Sequence, residues 1–78
     1  MNSAYILINV ETGYEVEILD ALKKMENVRE AHGVYGVYDI IARVEADTLE
    51  RLKEIITWKI RMLNKVRSTL TMMAVQGP

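Results

Sequence analysis

Cysteine is absent from the 78 residues, and with it go disulfides, thiolate metal sites and a thiol nucleophile. The single histidine, His32, has no second imidazole with which to build a zinc site, and one imidazole without a paired acid or metal is seldom catalytic. Its expected place is structural, in or beside a strand. An excess of one charge is also missing, since 10 Lys and Arg stand against 11 Asp and Glu. Direct nucleic-acid binding, which needs a clear basic excess to neutralise phosphates, is therefore not expected. The apolar run Ala4–Val10 is short and no basic residue precedes it, so it reads neither as a membrane span nor as a signal peptide. A soluble cytoplasmic protein with no membrane partner is the expectation. No Ser–His or Cys–His spacing, GxGxxG, Gly-Lys-Ser/Thr loop or HExxH occurs, and neither an enzyme nor a cofactor is expected.

What the chain does have is apolar surface. Half of its residues are hydrophobic, yet a domain of roughly 60 residues hides only about 60% of its extended surface. One domain of this size cannot readily bury so much alone, and association follows from composition. The charges are unevenly placed. Glu11, Glu15, Glu17, Asp20 and Glu26 stand against Lys23 and Lys24 in the first part of the chain, whereas Arg51, Lys53, Lys59, Arg61, Lys65 and Arg67 stand against Glu54 later. Solvated helix faces account for this pattern; electrostatic pairing between subunits is the alternative.

Ala4–Val10 reads as a strand, with Ile6, Ile8 and Val10 on one side and Tyr5, Leu7 and Asn9 on the other. After Glu11-Thr12-Gly13, a helical period gathers Tyr14, Ile18, Ala21, Leu22 and Met25 on one face. A second strand spans Val28 to Tyr35 and a third Asp39 to Glu45. Gly36-Val37 suits the centre of a two-residue type II′ turn, in which glycine supplies the positive φ. Asp47 then caps a second helix, with Glu50 three residues on. That helix carries Leu49, Leu52, Ile56, Ile60 and Leu63 on its core face. Trp58 projects from nearly the opposite side with Ile55 and Met62, either as a further contact surface or as a solitary exposed ring. Val66–Val75 forms the last strand and Gln76-Gly77-Pro78 a tail.

This order, βαββαβ, predicts an α+β ferredoxin-like fold, an antiparallel sheet with both helices on one face. The other face should then be polar, but Tyr5 and Leu7 in the first strand and Leu70 and Met72 in the last are not. Sheet-to-sheet pairing of two copies into a dimeric α/β barrel covers them. Covering several hundred Å² of apolar surface contributes on the order of 10 kcal/mol before association costs.

The stretches Gly36-Val37-Tyr38-Asp39-Ile40-Ile41, Asp47-Thr48-Leu49 and Val66-Arg67-Ser68-Thr69-Leu70-Thr71, in this order and spacing, resemble the C-terminal effector-binding half of the Lrp/AsnC transcriptional regulators, the "regulation of amino acid metabolism" domain. The resemblance covers nearly the whole chain. The family's helix-turn-helix half has no counterpart, so residues 1–78 read as a single stand-alone effector-binding and oligomerisation domain. The resemblance implies homodimers assembling further, to octamers, with an amino acid effector held in clefts between dimers. Gly36, Val37, Tyr38 and Asp39 would line the cleft, and Thr69 and Thr71 would offer hydroxyls. Full-length Lrp/AsnC proteins are further implied partners. The alternative for Asp39 is that it merely bonds turn amides. Two other readings of the whole remain open, a purely structural assembly domain and a small dimeric-barrel enzyme.

Overall fold

The computed structural model describes residues 1–74. The elements run β1 (Asn2–Val10), α1 (Glu15–Lys23), β2 (Val28–Gly33), β3 (Ile40–Ala46), α2 (Leu49–Glu54), a π-helical segment (Ile55–Ile60) and β4 (Val66–Met73). The four strands form one sheet in the order β2-β3-β1-β4, antiparallel throughout. This is the βαββαβ plan, with β2 and β4 at the edges.

Alternation in the strands decides which face the helices cover. Ala4, Ile6, Ile8 and Val10 of β1 and Ile40, Ala42, Val44 and Ala46 of β3 are buried. Ile18 and Leu22 of α1 close over them, as do Leu52, Ile55, Ile56 and Ile60 of the second helical stretch. Tyr5, Leu70 and Met72 emerge on the opposite face and stay more than two-fifths exposed. Tyr5 pairs with Met72 and Leu7 with Leu70, so all four side chains share that open face.

Several local expectations are corrected. β1 begins at Asn2, and β2 ends at Gly33 instead of Tyr35. The hairpin is not a two-residue II′ turn. Gly33 pairs with Ile40, the Val34 amide donates to the Asp39 carbonyl at 2.9 Å, and four residues, 35–38, cross between them. Gly36 still carries the unusual backbone, at φ 138°, and Asp39 at the end of the loop is held by β1. The second helix is capped by Thr48, whose Oγ1 accepts from the Arg51 amide at 3.1 Å, and not by Asp47. Leu49 is therefore the first helical residue and is 41% exposed. Tyr14 sits before α1 and is only about one-third exposed, at 36%.

The helical period breaks after Glu54. The Arg61 amide reaches back to the Ile56 carbonyl at 2.9 Å, an i→i−5 bond that widens the turn. Ile55, expected beside Trp58, is completely buried in consequence, while Trp58 and Met62 remain outside at 70% and 66% exposure. Val75 and the tail lie outside the described residues.

Candidate functional site at the hairpin end of the sheet

Asp39 sits where β3 begins, between the hairpin and the last residues of β1. Its amide donates to the Ile8 carbonyl at 3.0 Å, and its Oδ2 accepts from the Val10 amide at 2.9 Å. One residue thus supplies β1 with both an acceptor and a donor beyond the point where the regular ladder stops. The Asp39 side chain is half-buried, and its Oδ1 is not engaged in a hydrogen bond among the described residues.

Across β1, the ladder with β4 is irregular. Asn9 pairs with Ser68 but Val10 pairs with Val66, which leaves Arg67 as the extra residue of a β-bulge. Bulges re-aim side chains at strand ends. Here the bulge brings Arg67 to the rim of a cavity of about 390 Å³ lined by Asn9, Val10, Val37, Asp39, Arg67 and Ser68. Asn9 Nδ2 donates to the Ser68 hydroxyl at 3.3 Å, tying the two strands together on this rim. A carboxylate and a guanidinium face one hollow, with an amide, a hydroxyl and an apolar wall between them. Such a set suits a small zwitterion: the carboxylate accepts from an ammonium and the guanidinium donates to a carboxylate.

Of the residues expected at the site, Val37 and Asp39 line this cavity; Gly36 and Tyr38 are their loop neighbours without lining it. Thr69 and Thr71 pair with Ile8 and Ile6 and so point to the helix side of the sheet. Thr69 lines a neighbouring cavity with Arg61, Val66, Arg67 and Ser68. Asn9, Arg67 and Ser68 also line the cavity, though nothing in the sequence marks them as site residues. For Arg67 no periodic signal exists, because the bulge breaks the alternation at that residue.

The open face has a second, charged half. Arg43 Nε donates to Glu30 Oε2 at 2.7 Å and its Nη1 to Glu45; Arg29, the extra residue of a bulge in β2, reaches Glu45 Oε1 at 3.1 Å. His32 Nε2 lies 3.2 Å from Glu30 Oε1. Hydrogen bonds from Arg43 and then His32 hold the Glu30 carboxyl below its ordinary value, and the same bond to Glu30 holds the Arg43 guanidinium above its own. His32 lies in β2, on the open face and in solvent.

The Lrp/AsnC ligand binding domain model matches residues 3–78. The chain belongs to this family. The Lrp/AsnC domain is 27% identical over 73 residues to the regulatory protein AsnC of Haemophilus influenzae, a match covering 94% of this chain and 48% of that protein. The chain thus spans about half the length of this curated relative. It superposes on the crystal structure of FFRP-DM1 with a TM-score of 0.94 at 44% identity, covering 96% of this chain and 100% of that one. A transcriptional regulator of Neisseria meningitidis, NMB0573, solved as an L-Met complex, matches at TM-score 0.84 over 96% of this chain and 50% of its own; at 10% identity it shows the shared fold alone. Among the described residues, no helix is long and apolar enough to cross a membrane, and no group of His, Cys, Asp and Glu side chains could hold a metal ion.

Proposed function

We propose that this Lrp/AsnC domain is a non-enzymatic sensor of a small zwitterion, most simply an amino acid, and that it works as an oligomer. The observation that carries the reading is the placing of Asp39 and Arg67 on one cavity of about 390 Å³. Asp39 Oδ1 takes the ammonium, Arg67 with the Ser68 hydroxyl takes the carboxylate, and Val37 meets the side chain. Membership of the Lrp/AsnC ligand binding domain family supports a small-molecule ligand. Two copies pair through Tyr5, Leu7, Leu70 and Met72, and the exposed hairpin tip, with Tyr35 and Val37 in solvent, brings dimers together around the cleft. Thr69 and Thr71 join the site only through such assembly. Higher assemblies up to an octamer, and contact with full-length relatives, let the domain modulate transcription or amino acid metabolism.

A second reading, an assembly domain that binds no ligand, is favoured by one observation: Asp39 Oδ2 is already committed to the Val10 amide. Thermal melts with each of the twenty amino acids separate the two. A ligand at 100 times its Kd adds about 2.7 kcal/mol, which for a domain this small raises Tm on the order of 10 °C. The shift should vanish in Arg67→Ala, whose own melt stays close to wild type. No shift with any amino acid rejects the sensor.

A further inference from the structure

We propose that the helix layer carries a second self-association surface, in which Trp58 and Met62 of one copy seat in a groove beside α1 of another. The plug is two large apolar side chains four residues apart, on the outer side of the π-helical segment and the turn after it, both about two-thirds exposed or more. The widened turn sends Ile55 inward and leaves Trp58 out. The groove is a cavity of about 290 Å³ lined by Tyr14, Ile18, Ala21 and Leu63, with Glu17 and Lys65 as its charged lining. It is pre-formed. Lys65 lies 4.8 Å from the Tyr14 ring centroid, its carbonyl accepts from the Glu11 amide at 2.9 Å, and its Nζ meets Glu11 Oε2 at 3.4 Å. Little ordering cost is left for the incoming indole.

Charge selects a second copy as the occupant. Lys59 and Arg61 flank Trp58, while Glu17 lines the groove and Asp20 lies about one turn further along α1, exposed. None of these four forms an ion pair within its own chain among the described residues. Lys65 in the groove is already matched by Glu11, which leaves the α1 acids Glu17 and Asp20 to complement the basic plug of another copy, and Trp and Arg are among the residues that most often dominate such contacts. Each copy carries both halves in one layer, so a single two-fold contact can satisfy both. An anionic membrane suits the plug but is repelled by Glu15, Glu17 and Asp20 in the same layer. The surface lies on the helix side of the sheet and does not depend on pairing through Tyr5, Leu7, Leu70 and Met72.

Trp58 is the only tryptophan, so its fluorescence reads its own burial. On raising the concentration of the intact protein, the emission should shift to the blue, and added salt should reverse the shift. Trp58→Ala, a change at an exposed position, should keep the far-UV spectrum and weaken the association seen by light scattering at least about tenfold. Lys59→Glu with Arg61→Glu should weaken it likewise, and adding Glu17→Lys with Asp20→Lys in the same chain should restore it. Emission that stays that of an indole in water at every concentration overturns the proposal. So does a blue shift seen only with phosphatidylglycerol vesicles, or a charge swap that is not rescued.

Discussion

Replacing Asp39 with alanine should cost stability before it touches any ligand. The Asp39 carboxylate bonds the Val10 amide at 2.9 Å, and Val10 is 4% exposed, so the truncated protein leaves a buried donor unpaired where the β1 ladder has ended. A hydrogen bond to a charged group is worth about 1.5–3 kcal/mol. The main-chain bonds through the Asp39 amide and carbonyl survive the change, which keeps the loss within that range. At about 4–8 °C per kcal/mol for a domain this size, Tm falls on the order of 10 °C. Asp39→Asn keeps an acceptor but loses its charge, and neutral bonds are roughly half as strong, so its loss is about 1 kcal/mol. Arg67→Ala, at an exposed residue without an ion pair among the described residues, changes stability by no more than about 0.5 kcal/mol. Urea unfolding followed by circular dichroism at one fixed protomer concentration resolves the order, since association would otherwise move the midpoint. An alanine variant that unfolds at the wild-type midpoint with an unchanged m refutes the pinning of β1 by Asp39.

Three further changes test other parts of the structure. Gly36→Ala meets open space at its Cβ but keeps a φ of 138° that L-residues rarely adopt, so it should cost about 1–3 kcal/mol from backbone strain alone; an unchanged denaturation midpoint would contradict that loop. Ile55→Ala should cost about 2–4 kcal/mol from a completely buried site, whereas Met62→Ala changes the midpoint by about 0.5 kcal/mol or less at fixed low concentration. Equal losses would mean that the turn is not widened. Glu30 has a lowered folded-state carboxyl value, so its stabilising contribution is full above the ordinary value of 4.5 and is lost as pH falls through the lower folded one. Acid unfolding of Glu30→Gln should accordingly show a shallower decline than wild type below pH 4.5; parallel curves would dismiss the Arg43–Glu30 contact.

The parts of the fold legible in the sequence are those that obey a simple period. Alternation through Ile6, Ile8 and Val10 fixes the buried side of β1 and leaves Tyr5 and Leu7 on a face that only another surface could cover. The misses fall where a period is broken by one residue. Thr48 displaced Asp47 as cap because a single position separates two side-chain oxygens, either of which can accept a bond from a first-turn amide. An added residue in the helical turn took Ile55 from the outer stripe into the core, and nothing in its neighbours' composition marks a widened turn. The bulge at Arg67 is the same kind of event in a strand. It moved one cation from an unremarkable edge position to the rim of the cavity that holds Asp39.

The two bulges and the π-helical turn therefore have something in common. Each inserts one residue into a regular element, and each puts an unusual side chain at a surface: Arg29 beside Glu45, Arg67 on the cavity that Asp39 also lines, and Trp58 on the outer helix layer. In a chain this short, regular alternation is used up by the core, since most positions of β1 and β3 on the helix side are already buried apolar residues. Charged and aromatic groups that must face outward at particular points are then placed by local irregularity. Under the proposed function this arrangement has a further consequence. Asp39 serves β1 through Oδ2 while its Oδ1 is left for a ligand, so occupancy of the cleft would stiffen the same joint that anchors the hairpin. The tip that carries Tyr35 and Val37 would feel the ligand through that joint, which links sensing to assembly with no moving part larger than a four-residue loop.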